Sequence, residues 1–348
     1  MRFLFPWIKR LALLALILIL GLLSPVAYIE TMCRPEGEPD KVAPILDSDW
    51  RRPEGRTLLT YPEWHIVHAY ADYAEVIRTG DPQDYGFLSS VEGFWSSTCA
   101  LSKASGPHGG FPWETKQMVY TIGVSFTAEL LLKAAYEETV GRLFVALRGD
   151  DRAPLDVVSA KQAADYAVFL QQVPWYKWDF TRDAGQLDQA ATNVLRDRER
   201  RFALGLEYRA KAAYAGVIAA AVAATGEDQL RLRAVVSGVS SETLAALPDV
   251  QVIETLAEGI VIEASRYRAF TRLAEKIAAA GGEFVEIAGN DDILFTMISD
   301  EPVAEGAIHS FARQGNPGYR HLVLVPVAGL AAALRALPDG ALEHVHDY

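Results

Sequence analysis

The chain has 348 residues, half of them hydrophobic and 22% charged, which is enough apolar material for folded cores and excludes an intrinsically disordered protein. The formal net charge of −12 repels phosphate backbones, and the sequence offers no basic stripe or zinc-finger spacing, so we expect no nucleic-acid partner. This length allows two domains with accessory segments.

Residues 1–29 are typical of a signal-anchor transmembrane helix. The run from Leu11 to Ile29 carries no charged side chain, and its length of about 19 residues approaches the roughly 20 that a helix needs to cross a bilayer. Its flanks differ in charge: Arg2, Lys9 and Arg10 precede it, and Glu30, Glu36, Glu38 and Asp40 follow it. Cytoplasmic flanks favour Lys and Arg. We therefore predict a single-pass protein of the inner cell membrane, with a cytoplasmic N-terminus and a periplasmic body.

A cleaved signal peptide is the alternative interpretation of this segment. Signal sequences end in a small-x-small motif. Ala27 is small enough for such a motif, but Pro25 stands at the third position back from the cleavage point and matches it poorly. The pattern therefore favours an uncleaved anchor that contacts the lipid bilayer through residues 11–29.

Residues 30–58 are dense in proline, glycine and charge, which is typical of a stalk or linker. One of the two cysteines, Cys33, lies in this segment, and Cys99 lies beyond it. In an oxidising compartment the two could form a disulfide. Two unpaired thiols are the alternative that the sequence leaves open.

A mainly helical domain is predicted for residues 59–226. Thr60 with Glu63 and Ser159 with Gln162 both fit the capping-box pattern, so we expect helices to begin at Thr60 and Ser159. A further long helical stretch is predicted from about Leu187 to Ala224.

An internal echo occurs within this domain. Glu129, Lys133 and Tyr136 recur with the same spacing as Glu207, Lys211 and Tyr214, 78 residues later. Each trio lies on one helical face, so the charged pairs could meet inside a bundle. Coincidence in alanine-rich helices is the alternative. The two segments near 118–136 and 206–225 are apolar, and we expect both to be buried bundle helices rather than membrane segments.

Residues 227–348 are predicted to form an α+β domain. Alternating strand patterns and amphipathic helices follow the order β-α-β-β-α-β, which is the ferredoxin-like pattern. Extra strands follow, with a last strand, helix and strand from His321 onwards. The expected fold class is thus α+β, with a transmembrane helix, a helical domain and a ferredoxin-like domain in chain order.

The stretch TYPEWHIVHAYADYAE places four polar residues on one side of the first predicted helix. His65, His68, Asp72 and Glu75 fall within an arc of about 80°, and the apolar residues lie opposite. Imidazoles and a carboxylate at this spacing could hold a divalent metal ion through His65, His68 and Asp72. Alternatively, Asp72 could orient His68 as a general base. A solvated helix face is the third interpretation.

Other candidate positions are weaker. His108 lies in a glycine-rich loop that could be a ligand loop or a surface excursion. Three further groups are candidates: an aromatic cluster at Trp175, Tyr176, Trp178 and Phe180, an acidic turn at Glu286, Asn290, Asp291 and Asp292, and a chelation-competent pair at His344 and His346. The arginines Arg196, Arg198, Arg200 and Arg201 alternate with acids and are expected on a solvated helix face.

The sequence contains no nucleophile-elbow, zincin or P-loop motif. The first functional hypothesis is therefore a membrane-anchored extracytoplasmic protein that binds a ligand or an envelope protein partner. The alternative is a membrane-anchored enzyme centred on the His65, His68 and Asp72 face, with His108 as a further candidate.

Overall fold

The computed structural model describes residues 4–39, 43–52, 56–225 and 230–347. Arg2, Asp40 and the predicted domain boundary at 226–227 lie outside these ranges. The helices are α1 (Leu4–Met32), α2 (Arg56–Thr79), α3 (Phe87–Ala104), α4 (Trp113–Tyr136), α5 (Arg142–Arg148), α6 (Pro154–Leu170), α7 (Phe180–Ala190), α8 (Leu195–Thr225), α9 (Ser241–Ala245), α10 (Arg268–Ala279) and α11 (Val327–Ala336). A π-helical turn at 137–141 joins α4 to α5.

The first helix, α1, is apolar and largely exposed. Its segment Ala12–Met32 is long and apolar enough to cross a membrane, and a signal sequence near the N-terminus fits the same criteria. Its last turns contact the body, where Ile29 and the following Cys33 are buried. The continuous helix Trp113–Arg148 is a second candidate span by length and composition, and a third of the apolar 18-residue stretch that qualifies it is buried.

Helix α2 is the centre of the helical body. It packs against α3, α4 and α6 on one side and against strands of the C-terminal region on the other. Apolar and aromatic residues occur all around it, so it is buried on both sides. Gly93 of α3 makes this close packing possible, because a Cβ there would lie 2.8 Å from the His65 ring.

Both predicted helix starts are wrong. Helix α2 begins at Arg56, and the Thr60 hydroxyl donates a hydrogen bond back to the Thr57 carbonyl within the helix. Helix α6 begins at Pro154, and the Ser159 hydroxyl donates to the Asp156 carbonyl. In both cases the capping pattern lies inside a helix that packing has extended further back. The long helical stretch predicted from about Leu187 is also interrupted, since α7 ends before α8 begins.

Cys33 and Cys99 form a disulfide, which resolves the alternative that the sequence left open. The bond fastens the end of α1 to α3. The Ser102 hydroxyl also donates to the Cys33 carbonyl at 2.6 Å, and the Glu36 amide donates to the Lys103 carbonyl. The segment after α1 is therefore bound to α3 rather than forming a free stalk.

The C-terminal region contains two four-stranded antiparallel sheets. The first, in the spatial order β2-β3-β1-β4, is built from β1 (Arg231–Ser237), β2 (Val250–Thr255), β3 (Ile260–Ser265) and β4 (Glu283–Ile287). The second, in the order β6-β7-β5-β8, is built from β5 (Asp292–Ser299), β6 (Ala307–Ala312), β7 (Tyr319–Pro326) and β8 (Leu342–His346). Strand β6 was not predicted. When the strands of each sheet are numbered 1 to 4 along the chain, both sheets have the same spatial order, 2-3-1-4.

Helices α10 and α11 cover one side of both sheets and enclose their main hydrophobic core. The opposite side of the second sheet packs on α2 through Leu294 and Leu322. The opposite side of the first sheet is covered by the linker, where the Glu286 carboxylate accepts hydrogen bonds from the Ile45 and Leu46 amides. The second sheet thus brings β7 and β8 directly onto the histidine face of α2.

Two expectations about exposure are overturned in the helical body. Arg196 and Arg200 are among the most buried side chains, each about 1% exposed, and pair with Asp156, Glu137 and Glu199. They therefore do not lie on a solvated face. Conversely, most of the apolar half of α8 from 210 to 220 is exposed, so it is not the buried bundle helix that its composition indicated.

Candidate functional site

The predicted polar face of α2 is not solvated. His65, His68 and Asp72 are each at most 6% exposed. The second sheet covers them, while Glu75 stays nearer to solvent and pairs with Arg78 at 2.7 Å. The histidine face is therefore an interface between the helical body and the C-terminal sheets.

A buried ion network, which we call the clasp, connects this face to the second sheet. Arg320 on β7 donates two hydrogen bonds to the Glu343 carboxylate on β8, and its guanidinium lies 3.7 Å from Asp72. Asp72 also accepts a hydrogen bond from the Gln314 amide at 3.2 Å. His68 Nε2 lies 3.4 Å from Glu343. Burial raises the pKa of Asp72, and Arg320 partly opposes that rise.

His65 is held in place by α3. Its Nε2 lies 2.9 Å from the Ser90 carbonyl, so it is assigned as the donor, and its Nδ1 lies 3.4 Å from the Tyr61 hydroxyl. Burial lowers the pKa of His65 to about 3, and the bond to Ser90 opposes this only in part. The imidazole is thus neutral at ordinary pH and acts as a hydrogen-bonding core residue.

His344 and His346 lie on β8 beside the same face of α2. The His344 ring stacks on Trp64 with 3.4 Å between centroids, and its Nδ1 bonds the Thr271 hydroxyl at 2.9 Å. The His346 ring lies edge-on to Tyr61. Burial lowers the pKa of His344, and it lowers the pKa of His346 to about 3. Four buried imidazole nitrogens lack protein hydrogen-bond partners: His68 Nε2, His344 Nε2 and both nitrogens of His346.

Within the described residues, no group of three or more His, Cys, Asp and Glu side chains is arranged to hold a metal ion. His65 is turned to α3, and Asp72 is turned to Arg320 and Gln314. The metal and general-base roles of His65, His68 and Asp72 stay predictions. Their contacts favour a structural interpretation, because both nitrogens of His65 and both carboxylate oxygens of Asp72 already have protein partners.

The echoed glutamates and lysines meet in space and form a charge quartet between α4 and α8. Lys133 lies 3.4 Å from Glu129 and 3.0 Å from Glu207. Lys211 lies 2.9 Å from Glu129 and 3.0 Å from Glu207. Each lysine therefore bridges both helices. This agrees with the interpretation that the two repeated charged pairs meet inside a bundle. The four charges sum to zero, which lowers the cost of their partial burial.

Aromatic side chains surround the quartet. The Tyr70 hydroxyl donates to Glu129 at 2.7 Å and accepts from the Lys211 ammonium at 2.9 Å. Lys211 also lies 5.8–5.9 Å from the ring centroids of Phe180 and Tyr166, within cation–π range. Burial alone would lower the pKa of Lys211, but Glu129 and Tyr70 outweigh it and hold that pKa well above its ordinary value.

A cavity of about 40 Å³ lies beside the quartet, bordered by Tyr73, Tyr166 and Trp178 among others. This volume has room for a few water molecules, whereas ligand pockets typically measure about 300–1,000 Å³. The contacts of the quartet therefore favour a structural role, in which it links α4 to α8, over a small-molecule site.

The remaining predicted candidates lie elsewhere. His108 is buried with its Nε2 3.6 Å from Asp292, at the start of β5, so it contacts the C-terminal region and not the quartet. Trp175 and Trp178 pack among α6, α7 and α8. In the acidic turn, Glu286 binds the linker, and Asn290 donates to the Ala288 carbonyl.

Sequence reasoning missed Arg320, Glu343 and Gln314 as partners of the histidine face. Arg320 precedes the apolar run 322–325 of β7, and a charged residue there departs from the strand pattern in a way that could have singled it out. Glu343 does not stand out in this way, because β8 also contains His344 and His346. Gln314 carries no such signal, because it stands in a loop whose path depends on the tertiary fold.

No protein-family model, curated protein or solved structure matches this chain.

Proposed function

We propose that this protein is a membrane-anchored, extracytoplasmic binding protein of the cell envelope, and that it binds through one exposed side of α4, α5 and α8. The observation that carries the proposal is this side, which we call the outer face. It consists of exposed apolar side chains, among them Leu132, Leu143, Leu147, Phe202, Leu206 and Val217.

The quartet supports a common outer face on the two helices. Tyr136 donates to Glu199, Lys133 pairs with Glu207, and Glu129 pairs with Lys211, so α4 and α8 run antiparallel. Viewed along each helix axis, the exposed stripe is rotated by roughly −100° from the quartet residues, where a step of one residue along the chain is a rotation of about +100°. Because the helices are antiparallel, equal offsets place both stripes on the same side.

The large exposed fraction of these apolar side chains supports a binding role. Leu132 is 73% exposed, Phe202 is 71% exposed and Val217 is 65% exposed. Single exposed apolar residues are common on soluble proteins, but rows of them along adjacent helices mark membrane or protein contacts. The outer face therefore has the character of an interaction surface.

The location of the body is supported by two features. The exposed apolar helix α1 fits an anchor in the inner membrane with a cytoplasmic N-terminus. The disulfide between Cys33 and Cys99 fits an oxidising compartment, since cytosolic thiols stay reduced. Both point to a periplasmic body that begins just after the anchor.

We also propose that each C-terminal sheet is a ferredoxin-like unit. In chain order the first sheet reads β1, α9, β2, β3, α10 and β4, and its spatial order β2-β3-β1-β4 is antiparallel throughout. The second sheet repeats this spatial order, with a loop in place of its first helix. A recurrence of this fold carries no function by itself.

The proposal is tested by measuring the reactivity of introduced thiols in intact cells. Leu132→Cys and Phe202→Cys place a thiol on the outer face, and Val303→Cys, 74% exposed on the C-terminal region, is the matched control. A water-soluble maleimide should modify Val303→Cys quickly and the two outer-face variants slowly, because a bound partner covers that face. After the cells are lysed and the chain is unfolded in urea, all three thiols should react alike, which shows that slow labelling in cells comes from a covered face. Equal reactivity in cells would overturn the proposed binding surface.

A further inference from the structure

We infer that the occupant of the outer face is the lipid bilayer, on which α4 and α8 lie as interfacial helices beside the anchor. This inference rests on the proposed anchoring and deepens it by naming what the outer face binds. Three features of the described residues support it: the contact between anchor and α4, the distribution of charge on α4 and α8, and the arginines at the rim.

The C-terminal end of the anchor helix α1 packs against α4. Glu30, at the end of the apolar run, accepts hydrogen bonds from the Lys116 ammonium at 2.8 Å and from the Tyr120 hydroxyl. Val26 and Ile29 belong to the same hydrophobic cluster as Val119 of α4. The membrane-exit point of α1 is therefore in direct contact with α4, so the lipid surface is within reach of that helix.

Beyond this contact, the exposed side chains along 118–136 of α4 and 210–220 of α8 carry no charge. Along 118–136 of α4 the charged residues are Glu129 and Lys133, and both are turned into the quartet. Along 210–220 of α8 the charged residue is Lys211, which is turned the same way. Charges on a lipid-facing surface are costly. The quartet thus removes from the outer face the charges that would oppose contact with lipid.

Arginines border the apolar stripes. The Arg201 and Arg209 side chains on α8 are 56% and 65% exposed and both pair with Asp188, and Arg142 at the start of α5 is 55% exposed and pairs with Glu138. An apolar stripe bordered by long arginine side chains is typical of helices that lie in the membrane interface.

The lengths of α4 and α8 and the proline inside α1 are compatible with this placement. With a rise of about 1.5 Å per residue, α4 and α8 extend roughly 36 Å and 46 Å, so a pair lying flat covers a wide area of membrane. Pro25 interrupts the hydrogen bonding inside α1, which permits a bend between the membrane span and the last turns that pack on the body. The span and the body can therefore differ in direction.

The test uses the full chain purified into liposomes that contain no other protein. Spin labels are attached singly at Leu132→Cys and Phe202→Cys on the outer face. A label at Leu18→Cys in α1 serves as the lipid reference, and one at Val303→Cys serves as the water reference. For each label, collision rates with oxygen, which concentrates in lipid, and with a water-soluble nickel chelate are measured.

We expect the outer-face labels to resemble Leu18→Cys, with oxygen collisions dominating. Nickel-dominated collisions, as at Val303→Cys, would overturn the inference. Shielding from both reagents that grows with the protein-to-lipid ratio would assign the outer face to a second copy and would also overturn it. If the outer face is protected in cells but water-exposed in these liposomes, the binding proposal stands with a protein partner and only this inference fails. Nickel access at Leu18→Cys would instead refute the anchor.

Discussion

Lys211 on α8 lies 2.9 Å from Glu129 on α4, although Lys211 already has Glu207 as a helical neighbour four residues away. Lys133 mirrors this arrangement from the other helix. The pairs that repeat in the sequence are therefore not two separate surface pairs but one neutral quartet. It fixes the antiparallel register of α4 and α8, and with it the outer face.

Charge reversal tests this register. Glu207→Lys combined with Lys211→Glu keeps the net charge and the pair within α8, but it opposes like charges across the helices. We expect a loss of about 3 kcal/mol in the free energy of unfolding, below the upper range for fully buried pairs because these side chains are partly exposed. Urea denaturation of the full chain in detergent measures it.

The matched control reverses all four charges by adding Glu129→Lys and Lys133→Glu. Opposite charges then face each other again, and most of the lost stability should return. A fourfold variant as unstable as the double variant would show that the quartet does not fix the register.

The clasp should be sensitive to loss of its arginine. Arg320 is 2% exposed, so Arg320→Met removes the guanidinium that pairs with the buried Asp72 and the half-buried Glu343, and we expect about 3 kcal/mol of destabilisation. Arg335→Met removes an exposed pair with Glu283 and should cost less than about 1 kcal/mol. Adding Glu343→Leu to Arg320→Met should recover part of the loss. Similar costs for the two single variants would contradict the buried clasp.

Acid should destabilise the protein because its histidines are buried in the neutral form. Burial lowers the pKa of His65 and His346 to about 3 and also lowers the pKa of His68 and His344. The unfolded chain therefore binds more protons below about pH 6.5, and stability that is intact above this pH is lost as pH falls toward 3. Each such histidine costs about 1.4 kcal/mol per pH unit in that window.

Three carboxyls act in the opposite direction. Burial raises the pKa of Asp72 and of Glu137, and it raises the pKa of Asp347 to about 6, so the folded state binds protons there more readily than the unfolded chain. Near pH 5 the four histidines outnumber these carboxyls, so we expect the free energy of unfolding to fall as the pH is lowered. Urea unfolding at pH 7.5, 6.5 and 5.5 measures it, and His346→Asn should reduce the slope by one proton. A flat profile would contradict burial of neutral imidazoles.

The histidine face shows what helical periodicity in the sequence can predict and what it cannot. The helical spacing placed His65, His68 and Asp72 together, and the structure keeps them on one side of α2. The same spacing could not show what covers that side, because Arg320 and Glu343 come from strands some 250 residues later in the chain. A polar face therefore has the same sequence pattern whether water or a buried clasp lies against it.

Local capping signals were misleading for a related reason. Thr60 and Ser159 fit capping boxes, but Leu58 and Leu155 just before them are fully buried, and their packing extends each helix backwards. Most C-terminal elements were predicted, because their strands alternate and α10 is strongly amphipathic. Strand β6 was missed because its residues are all half-buried or exposed and alternate weakly.

The disulfide should stabilise the junction between anchor and body. Cys33 and Cys99 are separated by 66 residues, and closing a loop of that size contributes about 4 kcal/mol in the chain-entropy model. Cys33→Ser with Cys99→Ser should lower the free energy of unfolding by up to this amount. The wild-type chain treated with reductant should match the double variant. Stability that does not change on reduction would show that the bond does not constrain the chain.

The most direct test of the extracytoplasmic assignment is the sidedness of two introduced thiols. In cells stripped of their outer membrane, a membrane-impermeant maleimide should modify Val303→Cys on the exposed C-terminal loop at once. It should modify Phe3→Cys, ahead of the apolar run, only after the membrane is permeabilised. Labelling of Phe3→Cys with protection of Val303→Cys would place the body in the cytoplasm and contradict the account.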